Sequence, residues 1–256
     1  MILDVQNLSK TYPGGVRAVD DASFSVDAGE LVALVGESGC GKTTTLKCLN
    51  RLVEPSAGII AFKHADVNAY QAAQLRRQIG WVMQGDGLFP HLTVAENIAV
   101  TPRLLKWDEA RISARIGELL DLTGLSVDDH AARYPHDLSG GQRQRVGFAR
   151  ALAAKPDLLL LDEAFGALDP ITRDRLQTDF KALQRELGFA AVLVTHDMAE
   201  ALTLADRILV MKDGQTIRYD TPAQLLADPG SDYVTTLIET PMRQARAVAA
   251  LEDGHA

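Results

Sequence analysis

The run Leu31-Val-Ala-Leu-Val-Gly36-Glu-Ser-Gly-Cys-Gly41-Lys42-Thr43-Thr44 constrains this chain more than any other stretch. Five apolar residues, suited to a strand buried on both faces, lead into a glycine-rich turn that must open a helix. Gly36, Gly41, Lys42 and Thr43 meet the spacing G-x-x-x-x-G-K-[ST]. Glycines let successive backbone N–H groups turn inward, and the helix that starts near Gly41 adds the positive end of its dipole, so the loop is an anion cradle. Lys42 can reach terminal phosphates as a point charge, and the Thr43 hydroxyl is placed to ligate Mg²⁺. The bland alternative, a glycine turn that binds nothing, is disfavoured by the strand before it and the helix after it.

The length of 256 residues allows a sizeable core, in one large domain or two small ones. A net charge of −8 argues against nucleic acid as a partner, because phosphate backbones are held by basic surfaces. Two cysteines, Cys40 in the phosphate loop and Cys48 on the helix behind it, are too close on one motif to form a stapling framework, which suggests a reducing compartment. Cys40 lies among inward N–H groups at a helix start, so a lowered thiol pKa and ready alkylation, blocked when the phosphate loop is occupied, are expected. The N-terminus alternates like a strand, with none of the regions of a signal peptide. No apolar run approaches the roughly 20 residues of a membrane span, so the chain should be soluble and any membrane role should come through a partner.

Further along, residues 2–6 and 22–27 read as strands around a turn at 12–15, where Tyr12 is either a packing residue or a platform for a base. Residues 43–52 read as a helix, 59–62 as a strand, 71–78 as a helix and 79–83 as a strand that delivers Gln84 to the crevice where α/β sheets hold ligands. Gln84 there could orient water or touch Mg²⁺. From residue 85 the strand rhythm stops. Thr93 and Glu96 form a capping box, and Asp108 caps a helix with Ile112, Ile116, Leu119 and Leu120 on one face. The region 85–155 thus reads as a helical subdomain inserted in an α/β core.

Leu138-Ser139-Gly140-Gly141-Gln142 precedes a helix over 143–153. Ser139 and Gln142 make a second capping box, and the same residues at a helix start also make a second anion site. Two such sites separated by a helical insert suggest that they serve different copies of the nucleotide site. The strand 157–161 ends in Asp162 and Glu163; one carboxylate can hold Mg²⁺ through its water and the other can polarise an attacking water. Asp169-Pro170 caps a helix to residue 187, strand 191–194 delivers His196 to the place where γ-phosphate contacts converge, and strands at 207–211 and 215–219 flank an Asp213-Gly214 turn. Thr221 and Gln224 make a third capping box, and residues 241–256 read as a short tail in which His255 is solvated.

With these pieces placed, the sequence resembles the ATP-binding subunits of ABC transporters over residues 1 to about 239. The combination of a phosphate loop, Leu138 to Gln142 and Asp162-Glu163 in that order carries the resemblance. It implies a P-loop NTPase ABC ATPase core of the α/β class, with an N-terminal antiparallel β subdomain and the inserted α-helical subdomain. It also implies an ABC ATPase domain over 1–240, with ATP and Mg²⁺ as cofactors. Tyr12 would then stack on adenine, and Gly36, Ser38, Gly39, Cys40, Gly41, Lys42, Thr43 and Thr44 would bind phosphates. Thr43, Gln84 and Asp162 would serve the metal, Gln84 linking it to the membrane partner. Glu163 would be the general base, His196 would hold the γ-phosphate, and Asp169 would lie in the dimer-contact loop. Ser139, Gly140, Gly141 and Gln142 would close over ATP bound by a second copy, which makes a homodimer or paired ATPase the catalytic unit. Partners would be integral membrane permease subunits and, indirectly, an extracytoplasmic solute-binding protein, with this chain peripheral at the cytoplasmic face of the plasma membrane.

The fragments Leu49-Asn50-Arg51-Leu52-Val53-Glu54-Pro55, Gly87-Leu-Phe-Pro-His91-Leu-Thr-Val-Ala-Glu-Asn97, Tyr134-Pro-His136 and Phe165-Gly-Ala-Leu-Asp-Pro-Ile-Thr172 resemble importers of compatible solutes such as glycine betaine, choline or carnitine. An importer of another small solute, an exporter, or a soluble ABC ATPase on ribosomes or DNA are the alternatives; the acidic charge and the single signature disfavour the last. Ala164 replaces the family's usual proline, so the turn that places Glu163 should be less rigid. Residues 62–66 lack a customary glycine. The tail leaves no room for paired CBS domains, so ionic-strength sensing through such domains is not expected.

Overall fold

The computed structural model describes residues 1–253 apart from Asp86 and Ala167, and for residues 244–253 it gives the helix path alone. His255, expected to be solvated, lies outside the described residues. Two sheets carry the chain. The first is antiparallel in the order β2-β1-β4-β5, from β1 (Leu3–Thr11), β2 (Arg17–Val26), β4 (Ala57–Phe62) and β5 (Ala65–Asp66). The second has the order β10-β9-β3-β8-β7-β6, from β3 (Leu31–Val35), β6 (Ile79–Val82), β7 (Leu158–Asp162), β8 (Ala190–Thr195), β9 (Arg207–Lys212) and β10 (Gln215–Asp220). Within it β9, β3, β8, β7 and β6 run parallel, and only the edge strand β10 is antiparallel.

Every residue of β3, β7 and β8 is buried, as their unbroken apolar sequences require for strands covered on both faces. The two-residue period divides β3 between two cores. Leu31, Ala33 and Val35 join a cluster with Val94, Ile98, Leu119, Val146 and Phe180, while Val32 and Leu34 join one with Leu3, Phe24, Leu46 and Phe62. Beyond α1 (Lys42–Leu49) and α2 (Ala72–Gln78), the helices α3 (Val94–Leu104), α4 (Glu109–Leu122), α5 (Val127–His130) and α6 (Gly140–Leu152) occupy the region expected to be helical. The apolar faces of α3, α4 and α6 share the first of those cores with the sheet. The stripe expected on α4 is buried at Ile112, Leu119 and Leu120, with Ile116 partly so. The three capping boxes form as read, at Thr93, Ser139 and Thr221, each satisfying otherwise orphaned N–H groups at a stabilisation of about 1 kcal/mol.

β1 and β2 are longer than expected because their far halves pair with each other through register shifts that no local pattern announces. The glycine missing from the β4–β5 turn is replaced by Lys63 and His64, both with positive φ, at 51° and 66°. That is the primed two-residue hairpin pattern, imposed here on residues that favour it less than glycine. Beyond α7 (Pro170–Leu187), α8 (Met198–Leu204) and α9 (Pro222–Ala227), the helix α10 runs over Asp232–Asp253. The tail expected from residue 241 is helical to Asp253. Val234 and Ile238 anchor the helix in the core, and Pro241 removes only one backbone donor from a helix already docked.

Candidate functional site

The parallel strands β3, β8, β7 and β6 are neighbours, and their carboxyl ends converge. β3 delivers the phosphate loop, β8 His196, β7 Asp162 and Glu163, and β6 Gln84. Gly36 and Gly41 are required in the loop. A Cβ at Gly36 (φ 155°) would stand 2.1 Å from the Met211 carbonyl oxygen, and one at Gly41 (φ 106°) 2.2 Å from that of Ala18. Helix α1 (Lys42–Leu49) starts directly behind Gly41. Lys42 is 5% exposed, and its Nζ donates to the carbonyl oxygens of Gly36 at 2.6 Å and Glu37 at 2.8 Å. The ammonium is thereby held inside the loop's curve, while Ser38 and Gly39 stand exposed at its crest and Thr44 is half-buried.

Thr43 Oγ1 donates to Asp162 Oδ1 at 3.0 Å, so the hydroxyl and the carboxylate read as metal-serving are in contact. Burial pushes the Asp162 carboxyl above its ordinary value, against the Thr43 bond and the charges of Lys47 and Lys42. Among the described residues no group of three or more His, Cys, Asp or Glu could hold a metal by itself. One hydroxyl and one carboxylate beside a phosphate loop fit Mg²⁺, which usually keeps waters and takes its remaining ligands from substrate phosphates.

Glu163 follows directly with φ +47°, a left-handed conformation that is strained for a glutamate. Its backbone N–H donates to Val194 O at 3.0 Å. Gln84 Nε2 donates to Glu163 Oε2 at 2.9 Å, and His196 Nδ1 stands 3.6 Å from Glu163 Oε1. Gln84, Glu163 and His196 thus form one cluster, with the His196 side chain 62% exposed and that of Glu163 27%. This arrangement offers a positioned carboxylate for deprotonating water next to an imidazole and an amide that can hold the group attacked.

Ser139 and Gln142 sit at the start of α6 in the expected box, Ser139 Oγ accepting from Gln142 N–H at 3.2 Å. None of the hydrogen bonds described for Ser139 or Gln142 reaches the phosphate loop of the same chain. Ser139 and Gly140 are exposed, and a Cβ at Gly141 would stand 2.8 Å from Thr172 Cγ2, so this turn lies against the start of α7. Asp169 caps α7, its Oδ1 accepting from Thr172 N–H at 3.0 Å, and Thr172 holds that carboxyl below its ordinary range. Tyr12 follows β1 directly and is half-buried, with Lys10 Nζ 5.2 Å from its ring centre. The 12–16 turn leads straight into the stretch whose Ala18 carbonyl touches the phosphate loop.

One expectation fails. Cys40 is only 7% exposed and packs into the apolar core, its Sγ 3.7 Å from Lys42 Nζ, so the thiol is not presented for alkylation. Three supporting residues escaped the sequence reading. Arg173 donates to the carbonyls of Phe165, Gly166 and Leu168, which holds the turn after Glu163 without the missing proline. The Tyr233 hydroxyl accepts from Glu37 N–H at 3.2 Å and donates to Met211 O at 3.4 Å, tying α10 to the phosphate loop. Glu200, 7% exposed, accepts from Gln177 Nε2 at 2.7 Å and from the Thr195 hydroxyl beside His196. None of these contacts has a local sequence signature.

The pattern of the ABC transporter family matches residues 19–166. The chain is 51% identical, over 93% of its length, to the carnitine transport ATP-binding protein OpuCA of Listeria monocytogenes serotype 1/2a (strain 10403S). It is 48% identical, also over 93%, to the glycine betaine/carnitine/choline transport ATP-binding protein OpuCA of Bacillus subtilis (strain 168). The chain spans 59% and 62% of the lengths of those two relatives. Among solved structures, the dimeric post-hydrolysis state of the ATP-binding cassette MJ0796 with ADP and Pi is similar at TM-score 0.77 and 33% identity, covering 86% of this chain and 99% of that one. A family pattern that spans both the phosphate loop and the Asp162-Glu163 strand end, on a fold shared with an ATP-binding cassette, settles the affiliation: the chain belongs to the ABC transporter family.

Proposed function

We propose that the chain is the ATP-hydrolysing subunit of a membrane importer for quaternary-amine compatible solutes such as glycine betaine, choline or carnitine. The observation that carries the ATPase reading is the convergence of Lys42, the Thr43–Asp162 pair and the Gln84–Glu163–His196 cluster on adjacent strand ends. The loop amides and Lys42 bind the phosphate chain of ATP, with Tyr12 against the base. Thr43, Asp162 and Gln84 serve Mg²⁺, which supplies charge neutralisation on the phosphates when bound. Glu163 takes the proton of the attacking water, and His196 holds the γ-phosphate. Ser139 and Gly140 are exposed, and none of the bonds described for Ser139 or Gln142 reaches their own loop, so the turn 139–142 faces the nucleotide of a second chain, next to Asp169. The catalytic unit is then a dimer that ATP closes and hydrolysis opens.

That motion is passed to integral membrane permease subunits docked near Gln84 and the helical region, with a solute-binding protein on the far side. Among the described residues no helix is long and apolar enough to cross a membrane, which suits a peripheral place at the cytoplasmic face. The net charge of −8 speaks against nucleic acid. The names of the relatives support the solute class. Glu163→Gln should retain ATP binding while nearly abolishing turnover. In a reconstituted complex, glycine betaine, choline or carnitine should stimulate hydrolysis by the unaltered chain; stimulation by none of them would remove the solute assignment, and full turnover by Glu163→Gln the base.

A further inference from the structure

The Gln142 side chain is pinned at both ends, and its second anchor lies outside the Leu138–Gln142 motif. Gln142 Oε1 accepts from the Ser139 backbone N–H at 2.9 Å, and since a backbone N–H can only donate, this contact fixes which way the amide points. Its Nε2 therefore faces outward, where it lies 3.1 Å from Nε2 of His130. The other ring nitrogen of His130, Nδ1, stands 3.0 Å from the Ser126 carbonyl oxygen. A carbonyl can only accept, so Nδ1 carries the proton and Nε2 presents its lone pair. The two assignments are independent and agree, an amide donor meeting a ring acceptor. Ser126 C=O, His130, Gln142 and Ser139 N–H form one chain of hydrogen bonds in which every donor has an acceptor.

The segment that holds the ring is itself braced. Ser126 caps α5 by accepting from Asp129 N–H at 3.3 Å. Just beyond, the carbonyls of Ala131 and Arg133 accept from Ala95 and Val94 N–H at 3.0 and 2.8 Å, which joins this segment to the first turn of α3. His130 is therefore a fixed point, whereas Ser139 and Gly140 are exposed.

We infer that His130 is a positioning residue for the turn 139–142: it holds the Gln142 amide, and through it the Ser139 cap, in the orientation that faces the nucleotide of a second chain. This rests on the reading of that turn given under Proposed function. Without the acceptor, Gln142 Nε2 turns to water, nothing outside the motif fixes the amide, and the turn must be ordered when the second chain's ATP arrives. That ordering should weaken apparent ATP affinity by about fivefold, the size of one part-buried neutral hydrogen bond, without altering the chemical step.

The test uses the full chain and three substitutions. His130→Phe keeps a ring and removes the acceptor, His130→Gln keeps an acceptor oxygen at similar reach, and Gln142→Ala removes the group held. His130→Phe should raise the MgATP concentration for half-maximal hydrolysis about fivefold, with the maximal rate within about twofold and an unchanged thermal midpoint. His130→Gln should restore the original value, and adding His130→Phe to Gln142→Ala should cause no further shift. Unchanged ATP dependence in His130→Phe, or additive shifts in the double variant, overturns the inference while leaving the reading of the turn intact. Unchanged ATP dependence in Gln142→Ala overturns that reading and the inference with it. Independently of activity, long-range ¹H–¹⁵N spectra of the unaltered chain should show His130 as the Nδ1–H tautomer, and an Nε2–H tautomer overturns the assignment.

Discussion

Replacing Arg173 by alanine probes how Glu163, the proposed general base, is held. Arg173, in the first turn of α7, donates to Phe165 O at 3.1 Å, Leu168 O at 3.0 Å and Gly166 O at 3.2 Å, all in the stretch between Glu163 and Asp169. Two of these bonds are part-buried and involve a full charge, so each contributes about 1.5 kcal/mol; the exposed third adds little. Against this restraint of about 3 kcal/mol stands the left-handed backbone of Glu163, φ +47°, which costs roughly 1.5 kcal/mol. With Arg173 in place the strained conformation wins by the difference. In Arg173→Ala the turn after Glu163 loses that restraint, leaving only the Val194 and Gln84 bonds on Glu163 itself, and the competent placement of Glu163 falls to about a tenth of the population, since about 1.4 kcal/mol is a factor of ten. Steady-state ATP hydrolysis should therefore show kcat about tenfold lower and KM for ATP within about twofold, because the phosphate loop is untouched. Arg173→Lys keeps the charge and loses the fork, and should fall between. A kcat within twofold of the unaltered chain in Arg173→Ala would refute the reasoning, as would a loss confined to KM.

Tyr233→Phe removes only the hydroxyl that meets Glu37 N–H and Met211 O, and should weaken equilibrium binding of MgATP about threefold without changing kcat; unchanged binding would disconnect α10 from the phosphate loop. Burial raises the Glu200 carboxyl above its ordinary value, so the folded chain binds its proton more tightly than the unfolded one, and the stability this contributes is present below the unfolded pKa and lost as pH rises through the folded one. Denaturant titrations should accordingly show the unaltered chain gaining stability relative to Glu200→Gln as pH is lowered toward that range, and a pH-independent difference would contradict the burial argument. Cys40 and Cys48 are 7% and 0% exposed, and burial pushes the Cys48 thiol up to about 11, so maleimide should label the native chain slowly and the denatured chain rapidly at both thiols. Fast native labelling of Cys40 would contradict its packing.

The parts of the site legible in the sequence are those whose chemistry is local. A capping box needs residues three apart, a phosphate loop needs its glycines and lysine in one turn, and a buried strand announces its own end, so Ser139, Lys42, Asp162 and Glu163 could be placed without coordinates. That Gln84, Glu163 and His196 touch is a consequence of strand order, which puts β7 between β6 and β8; the sequence placed each at the carboxyl end of a strand without giving that order. Arg173, Tyr233, Glu200 and His130 act through backbone carbonyls, hydroxyls or amides that carry no sequence pattern. Cys40 was misplaced because position in a motif gives the path of the backbone, whereas the direction of a side chain depends on what packs beneath it. The rigidity expected to be lost at Ala164 is supplied by Arg173 from the next helix. Pro241 misled in the opposite sense, since a helix anchored by Val234 and Ile238 tolerates one lost donor.

The most direct measurement is the mass of the Glu163→Gln chain in solution with saturating MgATP, by light scattering. If ATP is enclosed between the Lys42 loop of one chain and the Ser139 turn of another, the mass should rise from 27.7 kDa without nucleotide to twice that value with it. A mass that stays at 27.7 kDa in MgATP would contradict the shared site.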